Sequence, residues 1–596
     1  MKKCKNNFKY FEMSNSRCKF HAHQNCLLEK PEGWTPDTPN CFGRSFNELK
    51  LWDEKFSDFM KTKYPDIRVD YVFECEWDKF KKTKVTTSNG KKITLWKQFQ
   101  NENPDYWQDR PLKRLIPREC VRGGLLDVLT LKYTAEENPD SDLYVVDINS
   151  LYSYVSVNTK FGVGPYTVIV GEDLKNIYYN SILEEWRYKD ESLQGGSAFC
   201  SILVPLDIED PILKFKLNNT TVMAVCLACA KLSSPEPCNH KVKNRIFTGC
   251  WMMSTINQIT REGYKVERFL EVHHFPEKDY ILKDYVQLLC TERLKNSNLL
   301  QDAKTFEEQK LICDNLNESM CLPDHLKIKP SDCKNNSNLK KFYKDLMNCL
   351  FGMFSRNTNN LVTKKCTNQF ELEELGKEYA ITDLNVFIDH CQVEYVLNDN
   401  SLPPNKSTNI YIGAEIASQA MVVLRNYILS LKKVDSKILY YDTDSIVYSL
   451  KKNTVNPLPM SPAIGHFKHV YPPQKIQSFY ALGPRNYSIN YLNSDNELCS
   501  IVKVRGLSLT SLNNKNIIDN NTYKTFINSN FNQTYECLLL NQTKKMTDKK
   551  TKKVSYESTS YTFRNVFTMK RYVPSENPLY KTYPFGFNCA GKTYHE

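Results

Sequence analysis

The run "KILYYDTDSIVYSL", Lys437 to Leu450, constrains this chain more tightly than any other stretch. It is apolar, β-branched and aromatic, suited to a buried strand, yet it carries Asp442 and Asp444 at its centre. Residues at i and i+2 of an extended strand face the same side, so the two carboxylates would lie side by side. Such a pair is unfavourable unless the chain turns there or a cation neutralises it. Two readings follow. One is a tight hairpin with acidic turn residues and Thr443 at its tip. The other is a divalent-metal site, which requires a further carboxylate from elsewhere in the chain.

The stretch "DLYVVDINSLYSYV" offers one, because Asp147 ends an apolar, strand-like run. Asp followed by Asn and Ser is also ordinary helix N-capping chemistry, and taken alone Asp147 fits that role as well. A third element, "KDLMNCLFGMFSR", spaces Lys344, Asn348 and Gly352 four residues apart, on one face of a helix. A lysine, an amide and a glycine on one face suit a phosphate, a base edge and a close-packed ring. The same pattern also fits an ordinary amphipathic helix.

The chain has 596 residues, several domains by the usual size range, with a net charge of +12 and 12% aromatic residues. A basic, Tyr- and Phe-rich chain suits an anionic partner such as nucleic acid. The start, "MKKCKNNFKYFEMSNSRCKF", has no apolar core of signal-peptide length, and no segment has the uncharged length of a membrane span. A soluble intracellular protein is expected, in nucleus or cytoplasm, with no membrane partner. The 21 cysteines are dispersed irregularly, which fits reduced thiols and a metal site rather than a disulfide scaffold. Polar stretches at 313–338, 398–409 and 543–553 read as loops or insert boundaries, and between them strand-like runs, "DLYVVDINSLYSYV" as a whole among them, interleave with helical ones, so the fold class is α+β.

Taken together and in order, the three elements resemble the motifs of family B DNA polymerases. Asp147-Ile-Asn-Ser150-Leu151-Tyr152 is similar to motif A, Lys344-Asp-Leu-Met-Asn348-Cys-Leu-Phe351-Gly352 to motif B, and Tyr441-Asp442-Thr-Asp444-Ser445 to motif C. In motif B, Cys349 and Phe351 stand where Ser and Tyr are usual. "VRGG", Val121 to Gly124, resembles the Tyr-x-Gly-Gly motif of protein-primed members with Val121 in place of Tyr. "GPRNY", Gly483 to Tyr487, resembles their Lys-x-Tyr motif with Arg485 in place of Lys. "KVRGL" and the late "KRYVPSENPLYKTYPFGF" are similar to closing segments of polymerases from Maverick/Polinton elements and related viruses.

The resemblance implies a right-hand polymerase: a palm of antiparallel sheet plus helices, helical fingers, a thumb, and inserts similar to terminal-protein regions. The expected layout is a pre-palm region 1–109, palm 110–165, a first insert 166–290, fingers 291–357, a second insert 358–406, palm 407–510 and thumb 511–596. It implies DNA-directed DNA synthesis by phosphoryl transfer with two Mg²⁺ (or Mn²⁺) ions, held by Asp147 and Asp444 with Asp442 as an outer carboxylate. The expected partners are DNA template and primer, deoxynucleoside triphosphates and a terminal protein as primer, in replication of a linear mobile element or viral genome. Ser150, Leu151, Tyr152, Lys340, Lys344, Asn348, Phe351 and Gly352 would form the nucleotide pocket, with Lys344 on the triphosphate and the Tyr152 ring under the sugar. Arg122, Gly123, Gly124, Ser445, Arg485, Tyr487 and Lys503 would lie along the DNA. A nucleotidyltransferase is thus expected; the alternative is a truncated, inactive mobile-element relic that only binds nucleic acid. Reverse transcriptases and RNA polymerases carry different acidic and helical motifs.

"VCLACAKLSSPEPCNH" adds a second metal signal, because Cys226-x-x-Cys229 and Cys238-x-His240 present two close ligand pairs across a Pro-containing loop. Three thiolates and an imidazole are a structural zinc set, although the second pair is tighter than common and buried free cysteines are frequent. Toward the N-terminus, "CKFHAHQNC" and "YVFECEWDKF" resemble the segment between exonuclease and palm of Maverick-type polymerases and, faintly, very-short-patch repair endonucleases. Cys18, His21, His23 and Cys26 would then be a zinc set, or plain surface residues. The first hundred residues hold no Asp-x-Glu of the proofreading type, and Glu74, Glu76 and Asp78 alternate with Cys75 and Trp77. A polymerase without 3′–5′ exonuclease is expected.

Overall fold

The computed structural model describes residues 115–217, 220–356, 362–386, 391–397, 408–506, 518–528, 537–547, 554–564, 570–574 and 580–588, with residues 9–13, 47, 51, 55, 58, 68–72, 83–86 and 92–94 before them. Cys18, His21, His23, Cys26, Glu74, Glu76 and Asp78 lie outside the described residues. The chain divides into two compact units, Met1–Arg114 with Asn357–Lys406, and Leu115–Arg356 with Ser407–Glu596.

In the first unit, Lys9–Met13 pairs in parallel with Arg68–Val72, and Lys84–Thr86 forms a hairpin with Lys92–Thr94. A three-stranded antiparallel sheet places Cys391–Leu397 between Val362–Cys366 and Tyr379–Val386. Helix Gln369–Glu378 precedes the edge strand Tyr379–Val386 and is capped by the Asn368 side chain, which accepts from the Glu371 amide at 3.0 Å. Cys366, Leu375 and Val393 fill the small core between them.

The second unit is built on a five-stranded antiparallel sheet in the order Phe467–His469, Ser141–Ile148, Ser445–Lys451, Lys437–Asp442, Leu126–Val128. Both faces are covered, which explains strands that read as continuous apolar runs rather than alternating ones. Val146, Ile148, Tyr441, Ile446 and Tyr448 enter the larger core, together with residues of helices Leu151–Asn158, Lys283–Lys295 and Ile410–Lys433. Leu143, Val145, Leu439, Tyr440 and Val447 face the other core, built with a four-stranded sheet of Lys132–Thr134, Ile476–Gly483, Asn486–Leu492 and Leu498–Lys503. A third sheet, Phe247–Met252, Ser197–Leu203, Lys265–His274 and Thr167–Ile169 in spatial order, belongs to the segment between the strand bearing Asp147 and the helices. Helix Ile410–Lys433 starts on Asn409, whose side chain accepts from the Tyr411 and Ile412 amides, and it presents fourteen buried residues. Such burial, more than intrinsic propensity, stabilises a helix of this kind. Mixed α/β architecture agrees with the α+β reading.

Three local expectations are corrected. The run "DLYVVDINSLYSYV" is not one strand: it breaks at Ser150, in the left-handed region at φ 50°, and continues as helix Leu151–Asn158. Residues 313–319, read as loop, finish helix Phe306–Ser319, where a capping box of Thr305 and Glu308 starts the helix and Cys313 and Leu316 supply a buried stripe. Thr543–Thr547, also read as loop, lies in strand Cys537–Thr547, which pairs antiparallel with Val554–Arg564. No described helix is long and apolar enough to cross a membrane.

Candidate functional site

The chain does not stay extended through Asp442–Asp444. Lys437–Asp442 and Ser445–Lys451 are joined by a hairpin turn in which Asp442 pairs with Ser445 and Thr443 takes φ 59°. The turn interrupts the extended run between the two carboxylates. It is held from both sides: the Thr443 amide donates to the Leu125 carbonyl at 2.7 Å, and the Ile148 amide donates to the Asp444 carbonyl at 2.7 Å. Gly124 is essential to this packing, because a Cβ there would lie 2.8 Å from the Thr443 Cβ.

Asp147 is the penultimate residue of its strand, not a helix cap; the helix is entered through Ser150, whose hydroxyl accepts from Arg293 at 2.5 Å. Asp147 pairs in register with Ser445, so the structure brings Asp147 and Asp444 together from distant parts of the sequence. Their charges are answered unequally. Asp442 accepts from Arg485 Nε at 3.0 Å and Nη2 at 3.2 Å, from the Tyr440 hydroxyl at 3.2 Å and from Thr443 Oγ1 at 3.0 Å. Asp147 forms an ion pair with Lys468 at 2.6 Å. Burial, with Asp147 and then Asp442 facing it, pushes the Asp444 carboxyl up to about 6. Oxygen donors only, with one carboxylate carrying uncompensated repulsion, are the donor set that Mg²⁺ or Mn²⁺ takes, and the residues present fit such an ion.

Beside the carboxylates, the Tyr152 ring tilts against Phe351 with centroids 4.8 Å apart. Burial, then Asp444 and Asp442, raises the Tyr152 phenol to about 12, so it stays neutral. Phe351 belongs to helix Ser337–Ser355, on which Met347 is the buried residue, packed at 3.3 Å against Cys290. Burying that stripe leaves Lys344, Asn348 and Gly352 exposed and Lys340 half-buried. Leu151 is buried.

Arg485 sits in the tight turn after Gly483 at φ 59°, and Tyr487 places its ring 5.3 Å from Tyr440. Lys503, in register with Tyr487, is exposed. The Ser445 hydroxyl donates to the Asp442 carbonyl at 3.1 Å, and Tyr441 is fully buried. Arg122 turns away from the carboxylates onto Trp251, 5.7 Å from its ring, and donates to the Cys250 carbonyl. Beneath this loop lies Lys214, whose ammonium donates to the Gly123 carbonyl; burial, and then Arg122, lower it to about 7. Lys468, Tyr440, Arg293 and Lys214 were not singled out from sequence, and no motif marks them.

The second cluster is also assembled. Cys226, Cys229, Cys238 and His240 place their ligand atoms within 4.8 Å of one another, with the three cysteines buried. Cys226 caps helix Leu227–Leu232, accepting from the Cys229 amide at 3.4 Å.

Among solved structures, the chain is similar to phi29 DNA polymerase complexed with primer-template DNA and incoming nucleotide substrates, at 12% identity and TM-score 0.44 over 79% of this chain and 66% of that one. It is also similar to phi29 DNA polymerase complexed with single-stranded DNA, at 14% identity and TM-score 0.41 over 80% of this chain and 62% of that one. The chain therefore spans just under two thirds of the length of either. No curated protein matches it. Residues 50–310, which include Asp147 and the Cys/His cluster and end before Lys344 and Asp444, match the model of the family described as DNA polymerase type B, organellar and viral.

Proposed function

We infer that this chain is a template-dependent DNA polymerase of the protein-primed type, adding deoxynucleotides to a 3′ end in replication of a linear mobile-element or viral genome. One observation carries the reading: Asp147 and Asp444 meet at the end of one sheet, beside a tyrosine and an exposed lysine-bearing helix, although nothing local in the sequence requires them to meet. The match of residues 50–310 to type B polymerases supports it, as does the motif order.

In this reading Asp147 and Asp444 hold the divalent ions, and Asp442 stays outside the ligand set because Arg485, Tyr440 and Thr443 already occupy its oxygens. Bound Mg²⁺ or Mn²⁺ supplies charge neutralisation for the attacking and leaving oxygens. Lys344, with Lys340 one turn earlier, meets the triphosphate as a point charge. Asn348, Phe351 and Gly352 pack beside the nascent pair, and the Tyr152 ring, braced by Phe351, fills the space a 2′-hydroxyl would need. Tyr487, Lys503 and the Gly123–Gly124 loop follow the primer–template, and a terminal protein supplies the first hydroxyl. The arginine of Arg485 serves both Asp442 and the primer strand.

Primer extension on a primed DNA template with Mg²⁺ tests this. Wild type should extend, while Asp147→Ala and Asp444→Ala should lose incorporation but keep DNA affinity, which arises from many phosphate contacts. DNA binding without extension by wild type would favour the inactive-relic alternative. Wild-type extension by either variant would end the assignment.

A further inference from the structure

We propose that Cys226, Cys229, Cys238 and His240 form a closed structural zinc site that anchors the C-terminal segment 580–588 on the second unit. The inference goes beyond the polymerase reading and does not depend on it.

The geometry is that of a coordination shell. His240 Nδ1 lies 3.7, 3.3 and 3.7 Å from the sulfurs of Cys226, Cys229 and Cys238. A single ring nitrogen has one proton or one lone pair to share, so three sulfur neighbours cannot all be its hydrogen-bond partners. With Zn–S of about 2.3 Å and Zn–N of about 2.0–2.1 Å, a tetrahedron has S···N edges of about 3.6 Å. The observed spacings match those edges. The buried thiols would be thiolates once bound, releasing their protons to solvent, and the Cys229 amide aimed at Cys226 Sγ at 3.4 Å is the donor such a sulfur accepts. The four ligands close the shell, which marks a structural rather than a catalytic zinc.

What the site holds is equally specific. Gly586, at φ +85°, lies over the cluster so closely that a Cβ there would sit 2.6 Å from Cys226 Cβ and 3.3 Å from Cys229 Sγ. Around it, the Val225 amide donates to the Phe585 carbonyl at 3.1 Å, the Asn588 amide donates to the Leu206 carbonyl at 3.0 Å, and Phe585 and Phe587 are buried. The same segment continues back to the edge of the five-stranded sheet. The Thr582 amide donates to the Leu129 carbonyl at 3.0 Å, and Lys581 bridges to Thr130. Arg571, fully buried, joins Asp127 at 3.0 Å and Thr582 at 2.8 Å. Asp127 stands opposite Tyr441, next to Asp442. The metal thus fixes one end of a strap whose other end covers the strand beside the acidic turn.

The test uses the full chain purified without chelator. About one equivalent of zinc is expected, released by a thiol-reactive mercurial and replaceable by Co²⁺ with the visible bands of a tetrahedral thiolate site. Removing the metal should speed amide hydrogen exchange at 580–588 by about tenfold or more while helix Ile410–Lys433 keeps its protection. Cys238→Ser should lose the metal. Gly586→Ala, which replaces no ligand but sets a methyl against Cys226 and Cys229, should retain zinc yet show the faster exchange at 580–588. Absence of zinc together with absence of Co²⁺ bands would overturn the site, as would a disulfide among the three cysteines. Unchanged exchange at 580–588 after metal removal, or equal loss of protection in helix Ile410–Lys433, would overturn the anchor.

Discussion

Arg485 lies across Asp442, with Nε 3.0 Å from one carboxylate oxygen and Nη2 3.2 Å from the other. The pair removes one of three clustered acidic charges from competition for a cation and leaves Asp147 and Asp444 to share it. Because Arg485 is 61% exposed, Arg485→Ala should cost at most about 1 kcal/mol of stability. Its larger effect should be electrostatic: with Asp442 unanswered, Asp444 protonates more readily. The pH at which Mn²⁺ binding is half-lost should rise in Arg485→Ala and fall in Asp442→Asn. A Mn²⁺ titration at several pH values reads this, and shifts in the opposite sense would count against the assignment of Asp442 as the shielded carboxylate.

The raised Asp444 carboxyl makes a second prediction. Its folded value, about 6, exceeds the ordinary 3.8, so ionisation disfavours the metal-free fold. That penalty is absent below about pH 3.8, grows between there and about 6, and is constant above. In chelator, this group should therefore lower the melting temperature as pH rises through that window, and Asp444→Asn should flatten the dependence. Divalent-ion affinity should run the other way, weakening about tenfold per pH unit below about 6 as the ligand protonates. Thermal melts with and without Mn²⁺ separate the two trends.

Tyr152 and Phe351 should set sugar selection through bulk rather than through the phenol. Tyr152→Val should admit ribonucleotides, Tyr152→Phe should not, and Phe351→Ala should weaken discrimination partly because the ring loses the support seen at 4.8 Å. Incorporation of dATP against ATP is the readout; equal discrimination by Tyr152→Val would remove the ring from this role.

Gly124 and Thr443 should behave as a coupled pair. Gly124→Ala would force its methyl against the Thr443 side chain and should cost about 1–3 kcal/mol. Adding Thr443→Gly removes the clash and suits φ 59°, so the double variant should recover much of the loss. Denaturant melts of the two single variants and the double measure the coupling.

The strand carrying Asp147, the two strands flanking the turn at Asp444, the helix Ser337–Ser355 and the cysteine pairs were legible in the sequence because each rests on local chemistry: apolar runs, four-residue spacing and close ligand pairs. Helix Phe306–Ser319 was missed because its polar surface masked a short buried stripe, although Thr305 and Glu308 had announced its start. The break at Ser150 was missed because a left-handed residue leaves no trace in hydropathy.

The sequence by itself determined which residue types could bind a cation, a phosphate or a sugar ring. Only the tertiary structure decided which carboxylate is left needing a cation, because the answer depends on Arg485 and Lys468, brought by a distant turn and a distant strand to Asp442 and Asp147. It also decided that the segment ending at Asn588 returns to the edge of the sheet. A buried Arg571–Asp127 pair and a glycine seated on Cys226 and Cys229 are contacts between residues far apart in the chain, and no periodicity or local propensity encodes such a meeting.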